Sequence, residues 1–319
     1  MKKIVTIGGG TGSFVVLSGL KRHDCKISAI VAMSDSGGST GMLRDEYGVL
    51  PPGDIRQCLV ALSESDALMR DLFNYRFGNG SLEGQSFGNI FLTALSKVTG
   101  SFEKAIEEAS KILNIKGTVI PVTTQDVQLC AQLDDNQTII GEKAIDAGAN
   151  GNKRIKKLYL RPEAEANPKA IKAILDADII VIGPGDLYTS VLANIIVKGI
   201  PEAISKSRAK KVYISNLMTK QGQRDDFGAK GHLDEVESYI GAKMDAVIVN
   251  TKQPPEELRK LYESENEFPV KDNINDSERR IIRGDFLNDR VYKKEASDKL
   301  KRSLVRHDPE KLAKVIIEL

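Results

Sequence analysis

Residues 2–20 read KKIVTIGGGTGSFVVLSGL, and this stretch decides the fold. KKIVTIGG is β-branched and apolar and stops at glycines, as a buried strand does. GSFVVLSGLKRHD then predicts a helix, and KISAIVAMS a second strand. Strand, glycine turn, helix and strand make a βαβ unit with a right-handed crossover. The turn GGGTGS at 8–13 leaves three readings open: a turn without a ligand, a phosphate-binding loop, or a dinucleotide-binding corner. Glycine lets the backbone approach a ligand closely, and the first helical N–H groups lack partners and favour an anion. No Lys-Ser/Thr pair follows, so a P-loop is excluded. The dinucleotide fingerprint fits in part: Gly8 and Gly10 match, but Ser13 stands where the third glycine belongs.

Working outward, residues 54–76 space apolar positions every three or four residues and predict one long amphipathic helix. FGNIFLTALSKV and FEKAIEEASKIL predict two more helices, and GTVIPVT a strand. VQLCAQLDDNQTIIGEKAI reads as a hairpin turning at DDNQ, with IKKLYLRP as a further partner. NPKAIKAILDA is a short helix, and DIIVIGPGDLYTSVLANIIVKGI is a buried strand, glycine turn and helix. AKKVYISN and DAVIVNT complete the parallel set. The last sixty residues read as helical and charged, with one strand-like RVYKKE. The expected fold is a single α/β domain over 1–319: a doubly wound, mostly parallel Rossmann-like sheet with an antiparallel edge or flap and a helical periphery.

Lys and Arg number 46 against 44 Asp and Glu, a net charge of +2, with no sustained basic stripe. Nucleic acid is therefore not an expected partner. Cys25, Cys58 and Cys130 are scattered without CxxC spacing, which argues against a disulfide framework or a zinc site and suits a reducing compartment. Apolar runs are too short to span a bilayer, and the glycine turn arrives too early for a signal peptide. A cytoplasmic protein without membrane insertion is expected.

Several further loops end strands on the same rim. Asp35 follows the second strand at about the spacing where an acidic residue accepts from a ribose hydroxyl. The second glycine loop, Gly37-Gly38-Ser39-Thr40-Gly41, comes at once, which suits a ligand with two phosphates or a phosphate and a sugar. LPPGDIRQC places Asp54 as an N-cap and Arg56 in a first helical turn, where a cation hints at an anionic partner. GQSFGNIFL (84–92) repeats the design, with Asn89 able to donate and accept. IGPGDLYTS (182–190) crowds Asp186, Tyr188, Thr189 and Ser190 at a helix start. Open α/β sheets bind ligands at such carboxyl ends.

The motifs IGGGTG, MSDSGGSTG, PPGDIRQCLVAL, FGNIFLTAL, IGPGDLYTSVLANIIVKGI and SNLMT together resemble the gluconeogenesis-factor (YvcK/GlmR) family. That family lies within the CofD-like superfamily of 2-phospho-L-lactate transferases. The resemblance runs from Lys3 to about Leu312. It implies a modified Rossmann-like fold and a cytoplasmic regulator that binds UDP-sugars, notably UDP-N-acetylglucosamine. Such a regulator links central carbon metabolism to peptidoglycan precursor supply and cell shape. It implies Gly9, Gly10, Thr11, Gly12, Asp35, Ser39 and Thr40 in the nucleotide pocket, with Asn89, Gly185, Asp186 and Asn216 in matching motifs. A tyrosine and an arginine before a His-Asp pair correspond to Tyr262 in LRKLYESE and Arg306 in LVRHD. A phenol ring stacks on uracil, and a guanidinium forks onto a pyrophosphate. The 220–234 loop departs from the family pattern: Gly222, Asp225 and His232 remain, but a proline, a glutamate and the aspartate before the histidine are replaced.

Two function classes compete. As a ligand sensor, the chain needs no catalytic residue, metal or cofactor. Its partners are a nucleotide sugar and a regulated enzyme of amino-sugar synthesis, and a homo-oligomer stays open. As a transferase, it uses a GDP-activated substrate and Mg²⁺ held by Asp35, Asp54 and Asp186. The transferase branch carries adjacent acids after strand two, whereas Ser36 follows Asp35 here; the sensor is the expected class. An NAD-binding oxidoreductase ranks last, since no proton donor stands beside the corner.

Overall fold

The computed structural model describes residues 1–149, 153–220, 228–290 and 303–319. β1 (Lys2–Gly8) leads through α1 (Gly10–Leu20) to β2 (Cys25–Val31). Five helices follow: α2 (Gly38–Tyr47), α3 (Gly53–Leu62), α4 (Ala67–Asn74), α5 (Phe87–Thr99) and α6 (Phe102–Ile112). β3 (Thr118–Pro121) precedes β4 (Gln128–Leu133), β5 (Thr138–Ile140), the short α7 (Glu142–Asp146) and β6 (Ile155–Arg161). Then come α8 (Pro168–Leu175), β7 (Ile179–Ile182), a π-helical turn (Leu187–Leu192), α9 (Ala193–Ile195), α10 (Ile200–Lys206) and β8 (Lys210–Ile214). The chain closes with α11 (Ala229–Ile240), β9 (Ala246–Asn250), α12 (Glu256–Glu263), β10 (Arg280–Gly284) and α13 (Pro309–Glu318).

Among the described residues, seven strands form one sheet in the order β10-β9-β8-β7-β1-β2-β3, and every neighbouring pair is parallel. β7 is buried throughout as Ile179-Ile180-Val181-Ile182, the continuous apolar run of a strand covered on both faces. After β1 the chain builds β2 and β3 on one side and only then crosses to β7 on the other. The reversal falls between β1 and β7, so the crevice between their carboxyl ends is the topological switch point. The doubly wound parallel reading holds.

Two expectations differ from the structure, and one alternative is decided by it. The long helix over 54–76 is two helices. The run Ser63-Glu64-Ser65-Asp66 breaks it: Ser63 Oγ accepts from the Ser65 amide at 3.1 Å, and Asp66 caps α4 by accepting from the Met69 amide at 2.8 Å. Such side chains compete with the helical ladder. Of the expected antiparallel edge or flap, the hairpin and its partner form the flap: a separate antiparallel sheet in the order β5-β4-β6. Finally, Arg-Ile-Ile-Arg-Gly at 280–284 adds β10, an edge strand too short and too charged to stand out in a region read as helical. Most of RVYKKE lies outside the described residues.

The switch point is drawn tight by missing side chains. Gly10 takes φ +58°, a left-handed turn that glycine allows without strain. A Cβ on Gly12 would collide with the Pro184 carbonyl oxygen, and one on Gly9 with the Asp54 carboxylate. Gly12, rather than the position of Ser13, is thus where the helix meets the neighbouring loop. Gly12→Ala is expected to destabilise the fold by about 1–3 kcal/mol through overpacking. Urea unfolding is the check: a lowered midpoint at unchanged slope supports the packing argument, and a wild-type midpoint contradicts it.

Candidate functional site

A cavity of about 660 Å³ opens at the switch point. Its floor is the corner Gly9-Gly10-Thr11-Gly12, at the start of α1 and facing Pro184 and Gly185 after β7. The N–H groups in this first turn have no intrahelical acceptor, and the helix dipole adds positive potential. The residues expected in the nucleotide pocket line this one cavity: Gly9, Gly10, Thr11, Gly12, Asp35, Ser39, Thr40, Asn89, Gly185, Asp186, Asn216, Tyr262 and Arg306; Tyr188 does not, being buried in the core. Loops separated by up to 297 positions in the chain (9 to 306) therefore share a wall.

Many of these side chains are engaged inside the protein. Asp35 Oδ1 accepts from the Gly37 amide at 2.8 Å. The second glycine loop is helical from Gly38, so Ser39 and Thr40 sit in the first turn of α2. Ser39 Oγ donates to Gln85 at 2.6 Å and accepts from the Asn89 amide group at 3.2 Å. Asn89 Oδ1 in turn accepts from Arg56 Nε at 3.0 Å, and Arg56 also donates to Asn74 Oδ1 at 2.8 Å. Arg56, the cation that hinted at an anionic partner, is buried against these acceptors and also lines the cavity. Asp54 is not the N-cap; Pro52 holds that place, and Asp54 lies in the first turn, where the dipole favours an acid. Asn216 clamps Gly185 with both amide atoms, accepting from its N–H at 3.0 Å and donating to its carbonyl at 2.8 Å.

One wall was not foreseen. α7, from the antiparallel insert, brings Glu142, Lys143 and Asp146 into the cavity. The Lys143 amide donates to Ser36 Oγ at 3.1 Å, tying the insert to the loop after β2. Burial, and then the Asp35, Asp146 and Asp54 carboxylates, push the Glu142 carboxyl up to about 9, so it is neutral at pH 7. Asp146 is also raised, by burial and by Asp186. Lys220 bridges the two, donating to Asp146 and to Asp186 at 2.8 Å. Burial works against its charge, but the two carboxylates outweigh this and keep the ammonium protonated. GEKAIDAG carries no glycine-strand-helix signature, and only the folded insert brings its acids to the rim.

Tyr262, Arg306 and His307 also line the cavity. Tyr262 is only 6% exposed, packed in a satellite apolar cluster with Leu217, Met218, Leu287 and Val305. Burial drives the His307 imidazole down to about 4, so it is neutral at physiological pH. His232 is buried in α11 and does not line the cavity; Gly222 and Asp225 lie outside the described residues.

Comparison with known proteins bears on this arrangement. The sequence profile described as 2-phospho-L-lactate transferase CofD matches residues 4–287. The chain belongs to the CofD family. Within it, the similarity is to gluconeogenesis factors. The protein of that name from Bacillus subtilis (strain 168) is 39% identical over 320 residues, covering 99% of this chain and 98% of the relative. The one from Listeria innocua is 39% identical over 323 residues, covering 99% and 95%. A crystal structure of a UPF0052-family protein from Bacillus halodurans superposes with a TM-score of 0.89 at 38% identity, covering 99% of this chain and 98% of that one. The family and the α/β fold expected from the motifs are thereby shown. No helix among the described residues is long and apolar enough to cross a membrane.

Glu142 makes the site measurable without a ligand. In the unfolded chain this carboxyl loses its proton near 4.5, whereas in the fold it keeps it to about 9. Between those values the unfolded state binds fewer protons, so stability falls as pH rises. Glu142→Gln removes that slope. The variant is expected to be more stable than wild type by about 2–4 kcal/mol at pH 8.5 and nearly equal at pH 5. Parallel denaturation curves at the two pH values check this, and an equal difference at both contradicts it.

Proposed function

We propose that the chain binds a nucleotide sugar in the switch-point cavity, with UDP-N-acetylglucosamine as the leading ligand, and acts as a cytoplasmic regulator. Its role is to report precursor supply to an enzyme of amino-sugar synthesis, joining central carbon metabolism to peptidoglycan formation and cell shape. One observation carries the reading: the glycine corner, Asp35 and Arg306 line one cavity of about 660 Å³, a volume typical of small-molecule sites. The diphosphate rests on the amides of Gly10, Thr11 and Gly12, a ribose hydroxyl donates to Asp35, and Arg306 engages the diphosphate from the opposite wall. The acids nearby would repel such a ligand if all were ionised. A neutral Glu142, and a Lys220 shared by Asp146 and Asp186, reduce that charge. The gluconeogenesis-factor relatives agree with a metabolic role.

The carboxylates of Asp35 and Asp54, both lining the corner, favour one second reading: a CofD-like transfer from a GDP-activated substrate. Among the described residues no three His, Cys, Asp or Glu side chains group as ion ligands. Mg²⁺ would therefore need phosphate oxygens of the substrate to complete its shell, as it commonly does. Asp35 and Asp54 would hold it, and it would supply charge neutralisation on the phosphates.

A thermal-shift panel separates the two. Ligand at 100 times its Kd adds about 2.7 kcal/mol, or roughly 5 °C for a chain of this size. A rise with UDP-N-acetylglucosamine in EDTA supports the sensor. A rise confined to GDP with Mg²⁺ overturns it in favour of the transferase.

A further inference from the structure

Arginines reach the cavity from opposite halves of the sheet. Arg306 belongs to the β10 half, since its carbonyl accepts from the Asn288 amide at 2.9 Å just beyond that strand. Arg56 and Arg76 line the same cavity from the segment between β2 and β3. In the strand order β10-β9-β8-β7-β1-β2-β3, the glycine corner after β1 lies between these two halves.

The β2 half is a built wall. Arg56, on α3, is 6% exposed and rests on three neutral oxygens. Its Nε donates to Asn89 Oδ1 at 3.0 Å, and its Nη1 to Asn74 Oδ1 at 2.8 Å and to the Phe73 carbonyl at 3.3 Å. These bonds fix the plane of the guanidinium and leave it charged. Gly88 makes room for it: a Cβ there would strike Arg56 Cδ and the Phe73 carbonyl oxygen. Arg76, half-buried, stands at the base of a narrow loop after α4. The Phe77 amide donates to the Gln85 carbonyl at 3.0 Å, the Gly84 amide to the Phe77 carbonyl at 2.8 Å, and Arg76 Nη1 to the Gly84 carbonyl at 2.6 Å. The loop is joined to α2, because Ser39 Oγ donates to Gln85 at 2.6 Å and accepts from the Ser86 amide at 3.2 Å. Ser39, Thr40 and Asn89 are all buried and all line the cavity beside the two arginines. Gly37 caps α2 without a side chain, so the amides of that first turn face no side-chain acceptor. Fixed, planar guanidinium forks grip the paired oxygens of carboxylates and phosphates.

We propose that Arg56 and Arg76 form a second anion subsite of this cavity, which takes a carboxylate or phosphate oxyanion separate from the diphosphate at the glycine corner. This rests on the reading of the cavity as a nucleotide-sugar site and extends it: the chain responds to two anionic groups rather than one. The oxyanion has two sources, a carboxylate carried by the nucleotide sugar itself or a second small phosphorylated or carboxylated molecule bound beside it.

Amide NMR titrations with inorganic phosphate at constant ionic strength test this, on the free protein and on protein saturated with UDP-N-acetylglucosamine. Saturable shifts of the Gly38, Ser39 and Thr40 amides are expected in both, because the nucleotide sugar leaves the arginine pair accessible. Loss of hydrogen bonds to a charged group corresponds to about 10- to 100-fold in affinity. Arg76→Ala is expected to weaken phosphate binding by that factor, as is Arg56→Gln; should Arg56→Gln fail to fold, Arg76→Ala decides alone. Lys243→Ala removes an exposed cation that pairs with Glu278 and does not line the cavity, and it is expected to bind phosphate as the wild type does. UDP-glucuronic acid and UDP-glucose separate the two sources. If the nucleotide sugar carries the oxyanion, the uronic acid binds about tenfold tighter or more in the wild type, equally in Arg76→Ala, and displaces phosphate. If the oxyanion belongs to a second molecule, the two nucleotides bind alike and phosphate adds to both. Absence of saturable shifts, displacement of phosphate by UDP-N-acetylglucosamine, or wild-type phosphate affinity in Arg76→Ala overturns the proposal. Should the wild-type chain bind no UDP-N-acetylglucosamine, the site reading fails on its own, and the titrations of the free protein still decide the arginine pair.

Discussion

The close approach of two chain segments at the carboxyl ends of β1 and β7 is the constraint on which the rest of the molecule depends. Gly12 has no Cβ, so α1 can seat against the Pro184 carbonyl; Gly9 has none, so the first turn of α3 can bring Asp54 over the corner. Close-packed interiors transmit even a methyl group's displacement. A side chain at either glycine would push apart the loops that make the cavity floor. The reversal of strand order opens a crevice there, and the glycines keep it narrow while leaving the first-turn amides of α1 without intrahelical acceptors.

Charge sets the second condition. The cavity at the glycine corner is lined by five acids: Asp35, Asp54, Glu142, Asp146 and Asp186. The fold manages this in two ways: Glu142 keeps its proton because burial and its neighbours oppose its ionisation, and Lys220 serves two carboxylates at once. Both devices cost stability, since one keeps a carboxyl from ionising at neutral pH and the other takes an ammonium and two carboxylates partly out of water. Functional sites commonly carry such a cost and are offset by packing elsewhere, here by strands such as β7 and by the apolar core across the sheet.

What could be read in the chain before folding follows from what is local. Strands with continuous apolar runs and glycine turns announced the parallel sheet, and motif order announced the family. The residues expected in the nucleotide pocket share one cavity because each sits at a strand's carboxyl end or in a segment the resemblance supplied. What escaped notice is non-local. β10 is a short edge strand bearing arginines, and its pairing with β9 depends on partners far away in sequence. Glu142 and Asp146 reach the rim only because the antiparallel insert folds back onto the loop after β2. Arg56 lines the cavity, but Asn74 and Asn89, brought by α4 and α5, also hold its guanidinium, which its helix position alone did not announce. Periodicity over 54–76 concealed a break made by side-chain hydrogen bonds at Ser63 and Asp66.

Where an activated sugar sits on this chain is the deciding question. A crystal structure of the chain soaked or grown with UDP-N-acetylglucosamine tests this directly. It is predicted to show the diphosphate oxygens within hydrogen-bond distance of the Gly10, Thr11 and Gly12 amides, with Arg306 approaching from the other wall. A nucleotide bound outside the β1–β7 crevice, with that corner unliganded at saturating concentration, would contradict it.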